Sequence, residues 1–400
     1  MPRPAKLEEP NLMSTLLQTP AARLTTWFMR RTAPSAVRRV APLNAAVASD
    51  VGIVRTENQD RVALVRGSDA RGAPFILAVL ADGIGGMKYG AECAALTVAT
   101  LIDTVISEAQ HTVEPKEWLR RASLRANQVV HALRKGDGGS TLTALLLVKG
   151  HRAVWLSIGD SRVYHVAEAK MTQLSRDDTL DGQLGKPIDG GRRSELLQFV
   201  GVGDALEPHI EFVPWDLSGT LLLTTDGVHF IDADYLGKVA HFAADLGVCA
   251  RRFMDLAKML GGPDNASVVA LSVDALSADP GAQVESAFEV WDPFGDLCVM
   301  FDRGRNYRTN GPLPIPVNLE SGAPESTPQD TSAASSPQAE GEMPIGERSV
   351  GAAAKGKPAR QKSGSRRKAK VKGGKIEGGP EDGHEGEAPQ LSIEFPHKKP

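Results

Sequence analysis

The stretch Phe75–Glu92, FILAVLADGIGGMKYGAE, constrains this chain most. Phe75 to Ala81 is wholly apolar and bounded by turn residues, the pattern of a strand buried on both faces of a sheet. The run ends abruptly in Asp82. Gly83, Gly85 and Gly86 then allow a sharp turn that brings a backbone carbonyl close to whatever Asp82 binds. A carboxylate at the tip of a buried strand is costly unless a cation or hydrogen-bond donors meet it.

The same device recurs along the chain. Ala153–Ile158 leads into Asp160, Thr220–Leu223 leads into Asp226, Asp60 stands just before Arg61–Val65, and Asp264 stands just before Ser267–Val273. One such aspartate reads as a turn former or a helix N-cap. Five at strand termini read as a ligand set. Hard divalent cations choose oxygen donors, and with no His or Cys among these residues the set points to Mg2+ or Mn2+ rather than zinc. Calcium is disfavoured, since no EF-hand loop is present. Arg55, five residues before Asp60, adds a planar guanidinium fork that suits two phosphate oxygens.

The segments Ser49–Asp60 (SDVGIVRTENQD), Ala81–Gly86 (ADGIGG), Gly139–Leu147 (GSTLTALLL), Ile158–Tyr164 (IGDSRVY), Thr224–Val228 (TTDGV) and Gly262–Val269 (GPDNASVV) come in a telling order. In order and spacing they resemble the motifs of the bacterial PP2C-type, metal-dependent Ser/Thr protein phosphatases, over roughly residues 44 to 275. The resemblance implies an α+β fold, a four-layer sandwich of two mainly antiparallel β-sheets flanked by helices. It implies two to three Mn2+ or Mg2+ ions. Asp82 and the Gly83 carbonyl would bridge two of them, Asp226 and Asp264 would complete the first, Asp60 would hold the second, and Asp160 would share a third with Asp226. Arg55 would hold the substrate phosphate, and a dimetal-bound water would attack phosphorus with no covalent intermediate. Phosphorylated proteins as substrates, a partner Ser/Thr kinase, a monomeric state and a cytoplasmic location follow as expectations. Three positions depart from the common family pattern: Gln59 replaces Glu, Met87 replaces His and Ala91 replaces Glu.

The remaining sequence divides by composition. A length of 400 residues allows one large domain or two, and a net charge of −3 conceals an uneven distribution. Cys93, Cys249 and Cys298 lie far apart with no metal-ligand spacing, in keeping with a reducing compartment. No apolar run reads as a membrane span. Residues 1–43, rich in Ala, Pro and Arg, read as a mobile extension with an amphipathic piece over Leu16–Arg30. Ala91–Ser107 and Pro115–Leu133 carry helical periodicity, Leu142–Val148 and Ala153–Ile158 a hairpin signature, and Leu236–Leu260 a further helix. Ser175–Gly203 is polar and glycine-rich and falls where relatives carry a flap; its Gly185-Lys186-Pro187 lacks the spacing of a nucleotide-binding P-loop. Residues 276–310 form a short apolar segment that packs on the domain or on a partner.

Residues 311–400 have the composition of a disordered tail. Ten Lys or Arg between Lys355 and Lys375 suit nucleic acid or anionic lipid, although a solvated tail is the default reading. The terminal LSIEF (Leu391–Phe395) alternates like a strand that could dock on a sheet edge. Two other readings compete with the enzyme. In one, a catalytically weak scaffold binds phosphoproteins and recruits partners through its tail, with Gln59, Met87 and Ala91 in support. In the other, a two-metal phosphodiesterase acts on nucleic acid, which suits the basic tail but not the motif order.

Overall fold

A computed structural model of the chain describes residues 19–84, 87–184, 195–214, 218–275 and 287–300. Two antiparallel sheets lie face to face. One has the order β1-β2-β11-β10-β7-β8, built from Ser35–Val40 (β1), Ala45–Asp50 (β2), Ala266–Ser272 (β11), Thr220–Thr224 (β10), Arg162–Ala167 (β7) and Lys170–Gln173 (β8). The other has the order β13-β12-β3-β4-β5-β6-β9, built from Gly295–Met300 (β13), Ala287–Asp292 (β12), Arg61–Ser68 (β3), Pro74–Ala81 (β4), Leu142–Val148 (β5), Val154–Ile158 (β6) and His209–Phe212 (β9). The wholly apolar runs sit at the centre, where both faces are covered, and the mixed ones lie toward the edges.

The period of two decides the layering. Val62, Leu64, Ile76, Ala78 and Leu80 face Val47, Leu221, Leu223, Val269 and Leu271 between the sheets. The alternate residues of β3 to β5 turn to helices Gly90–Ala109 (α2) and Pro115–Arg134 (α3), where Trp118 meets Phe75 edge-on at 5.9 Å. On the opposite flank Leu222, Val268 and Ala270 pack under Ala233–His241 (α6) and Leu246–Met259 (α7). The order helix, sheet, sheet, helix is the expected four-layer sandwich. Two short helices, Leu180–Leu184 (α4) and Asp226–His229 (α5), lie in connections.

Three expectations change, and a fourth takes a definite form. Residues 20–40 are not a mobile extension: Pro20–Phe28 forms a helix (α1) capped by Thr19 and buries Leu24 and Phe28, while β1 pairs along its whole length with β2. The amphipathic piece has an apolar face to bury, and the core accepts it. At the other end, residues 287–300 of the 276–310 segment form a hairpin that extends the seven-stranded sheet, with Val290 opposite Val65. The helix expected over Leu236–Leu260 is two, because Asp245 caps a new start by accepting from Val248 N at 2.9 Å. Finally, α2 is long and apolar enough to cross a membrane, yet it is buried beneath the sheet as the core helix. Residues 1–18, the middle of the flap with Gly185-Lys186-Pro187, and the tail with its basic cluster and terminal LSIEF lie outside the described residues.

Candidate active site

Strand register gathers the candidate aspartates at one end of the sandwich. Arg61 pairs with Ala81, so Asp60 and Asp82 are neighbours at the start of β3 and the end of β4. Leu142 pairs with Ile158, which brings the Asp160 turn beside them. In the facing sheet Thr224 pairs with Val268, so Asp226 and Asp264 flank the same end. Asp226 is not on the strand itself: it is the first residue of α5, directly after β10.

A polar network holds this end. Thr225 donates to Asp60 Oδ2 at 3.1 Å and accepts from Ser267 N at 2.9 Å. Ser267 bonds Ser49 at 2.8 Å, and Asn58 donates to Ser49 at 2.8 Å. Across the other sheet Thr141 accepts from Asp82 N at 3.0 Å and meets Ser161 at 2.7 Å. Gly83 N donates to Gln59 O at 3.3 Å, and a Cβ on Gly83 would lie 2.4 Å from the Gly90 carbonyl at the start of α2. Glycine at 83 is therefore demanded by close packing.

Charge is crowded here. Burial, then the fields of Asp60, Asp226, Asp160 and Asp264, hold the Asp82 carboxyl well above the usual carboxylate range. Burial pushes Asp60 and Asp160 up to about 6 each. Asp226 rises to about 7 through desolvation and repulsion from Asp264, Asp160 and Asp60. Its residue surface is nevertheless exposed, so repulsion is the cause the geometry supports better. Four separate motifs thus raise the charge cost of Asp82, which is what a cation would relieve.

Arg55 donates from Nη2 to Asp264 Oδ2 at 2.7 Å, and that bond holds the guanidinium above its ordinary value. The fork lies beside the acids, where Asp226 and Asp82 also act on it, and it remains about one-third exposed. The sequence reading anticipated neither this pairing nor the use of one Asp264 oxygen by a cation of the chain itself.

Do these residues suit divalent metal? No three acidic, His or Cys side chains among the described residues are already drawn together as a ligand set. The donors are nonetheless of the right kind: carboxylate oxygens only, mutually repelling, with Asp60 Oδ1 buried and unpartnered. Asp60, Asp82, Asp226 and Asp264 with the Gly83 carbonyl would hold such ions, and Asp160 could join Asp226.

Three supporting residues escaped the sequence reading. Asn265 donates to Val51 O and Glu57 O at 2.9 Å each and accepts from Gln59 N at 2.8 Å, so it pins the Arg55 loop to β11. Asp178 accepts from Gly159 N at 2.9 Å and pairs with His209 at 2.7 Å, and Asp177 grips Arg162 through both carboxylate oxygens. Both acids lie in the polar flap segment, whose described ends are tied down: Leu197 N bonds Asp178 O at 2.8 Å, and Val200 is fully buried. Asp50, also at this end, is a buried acid that pairs with Lys258 at 2.6 Å.

Two antiparallel sheets with helices outside, and acids converging from the ends of both sheets, define a two-sheet sandwich with a candidate metal centre at one end. The family model described as protein phosphatase 2C matches residues 54–261, more than half of the chain, and the chain belongs to that family. It is 27% identical over 251 residues to the serine/threonine phosphatase stp of Listeria monocytogenes, a match covering 58% of this chain and 96% of that protein. It is 30% identical over 246 residues to the serine/threonine protein phosphatase PstP of Mycobacterium tuberculosis, where the match covers 58% of this chain but 45% of the relative. In fold it is similar to the serine/threonine phosphatase Stp1 of Staphylococcus aureus, with a TM-score of 0.51 at 21% identity, covering 58% of this chain and 95% of that one.

Proposed function

We propose that this chain is a metal-dependent protein serine/threonine phosphatase that hydrolyses phosphoserine and phosphothreonine in proteins with two to three Mn2+ or Mg2+ ions. We further propose that it opposes a Ser/Thr protein kinase in the cytoplasm. The observation that carries this reading is the convergence of Asp60, Asp82, Asp160, Asp226 and Asp264 from two sheets onto one end, with Arg55 among them. We also propose that it acts as a monomer. The free thiols Cys93, Cys249 and Cys298 are in keeping with a reducing compartment.

A phosphate monoester carries negative charge that repels nucleophiles, so the site must supply positive charge and orientation. Bound divalent cations supply Lewis-acid polarisation of the phosphate and of water. Arg55 supplies a fixed positive charge and a planar fork. Its pairing with Asp264 aims that fork at the acidic cluster, and its partial exposure leaves donors open to an incoming phosphate. Thr225 and Thr141 fix the carboxylate of Asp60 and the backbone of Asp82. Asn265 keeps the Arg55 loop at its distance from β11.

Covalent chemistry on sulfur has no support: burial pushes the Cys93 and Cys249 thiols up to about 12, which keeps them protonated. The test is release of inorganic phosphate from a phosphothreonine peptide by the full chain, with Mn2+, with Mg2+ and with chelator. Turnover with metal that stops with chelator is expected. A folded chain that is silent with both metals contradicts the reading.

A further inference from the structure

The segments on either side of the family-matched stretch are joined. Arg30, after α1, pairs with Asp292 at the end of β12 at 2.7 Å, donates to Trp27 O at 2.7 Å and stacks over the Trp27 ring at 3.7 Å. Arg38 of β1 reaches Asp296 of β13 at 2.9 Å. Arg61 donates to Phe28 O at 2.6 Å and so ties α1 to the residue after Asp60. These contacts frame a cleft of about 420 Å3 with Arg30, Arg31 and Asp292 on one wall and Arg55, Asn58 and Asp60 on the other. Its size falls within the roughly 300–1,000 Å3 of ligand-sized clefts.

The charges in this cleft are not equivalent. Arg30 and Arg61 are committed to Asp292 and backbone carbonyls, and Arg55, which pairs with Asp264 through one nitrogen, keeps its remaining donors for the phosphate. Arg31 is exposed, and among the described residues no ion pair or hydrogen bond engages its side chain. The exposed anion of the cleft, Glu57, belongs to the Arg55 loop on the other wall. An acidic side chain entering the cleft is therefore drawn to Arg31 and repelled from Glu57. Arg55, the candidate phosphate ligand, lines the same cleft, so the chain that carries the phosphate would run along it.

We propose that this cleft seats the polypeptide segment adjoining the phosphorylated residue of the substrate, and that Arg31 selects an acidic side chain there. The inference rests on the phosphatase reading and adds a specificity-determining residue from outside the family-matched stretch.

The test uses the full chain with Mn2+ on two kinds of substrate. p-Nitrophenyl phosphate has no flanking chain, whereas phosphothreonine peptides can carry Glu or Ala on either side of the phosphorylated residue. The parent protein should favour Glu on one side. Arg31→Glu should remove that preference by about fivefold in kcat/KM, acting through KM, as expected for a solvent-exposed ion pair. Arg31→Lys should keep the preference, and both variants should hydrolyse p-nitrophenyl phosphate at the parental rate. An unchanged Glu-to-Ala ratio in Arg31→Glu overturns the proposal, as does an equal loss on p-nitrophenyl phosphate. If the parent hydrolyses none of these substrates with Mn2+ or Mg2+, the phosphatase reading itself fails and the inference falls with it.

Discussion

Arg55 and Asp264, 209 residues apart in sequence, meet at 2.7 Å at the mouth of the site, one on the loop before β3 and the other on the turn before β11. The pairing joins the candidate phosphate ligand to a candidate metal ligand, so neither can be altered alone. Arg55→Ala should lower kcat/KM toward phosphopeptides by about 10²–10³, the scale of losing one preorganised donor to developing charge. Arg55→Lys keeps the charge but not the fork, and should recover only part of the loss. Steady-state kinetics on folded variants checks this.

The raised carboxyls of Asp60, Asp82, Asp160 and Asp226 predict an unusual pH dependence. Asp226 at about 7, and Asp60 and Asp160 at about 6, all lie above the ordinary value of 3.8. The folded state therefore holds protons that the unfolded state releases. That contribution is complete below about pH 4 and is lost as pH rises through about 6 to 7. In chelator, Asp226→Asn should be more stable than the parent at about pH 7.5, with the difference vanishing near pH 4. With Mn2+ the order should reverse, because cations bind the ionised carboxylates. Thermal midpoints across this range, with and without metal, measure both signs.

Gly83→Ala should damage both stability and turnover. The added methyl would meet the Gly90 backbone at 2.4 Å, and neither segment can move without shifting β4 or α2. A loss of about 1–3 kcal/mol is expected from overpacking at such a site. Denaturant unfolding with parallel kinetics distinguishes this from a purely local effect.

The Arg30–Asp292 pair is the fourth target. The Asp292 side chain is 5% exposed, so Arg30→Ala leaves a nearly buried charge without its partner, at about 1–3 kcal/mol after allowance for solvent near Arg30. Trimming the chain to residues 44–275 should do worse. It removes α1, β1 and the β12–β13 hairpin, and so opens the edges of β2 and β3. Urea unfolding of the full chain, the Arg30→Ala variant and the trimmed chain provides the ranking.

The acidic end of the fold was legible because each of its aspartates interrupts an apolar run, and the ordered motifs placed the runs in one sandwich. Side-chain partners were not legible in the same way. Arg55–Asp264 and Arg30–Asp292 join positions more than 200 residues apart, and nothing local signals them. Asn265 lies inside the GPDNASVV motif, yet nothing local signals its three bonds to the Arg55 loop. Residues 35–40, SAVRRV, have too much charge to read as core. They form an edge strand whose Arg38 reaches across to Asp296. The break between α6 and α7 could have been found from Asp245, a capping residue inside an otherwise continuous apolar period.

The most direct test of the central claim is phosphate release from a phosphothreonine peptide by the full chain and by its Asp226→Ala variant, each with Mn2+ and with chelator. The parent should turn over only with metal, and the variant, folded by circular dichroism and no less stable in chelator, should be inactive in both conditions. Turnover retained by Asp226→Ala, or turnover by the parent in chelator, would contradict the assignment of the acidic cluster as the metal centre.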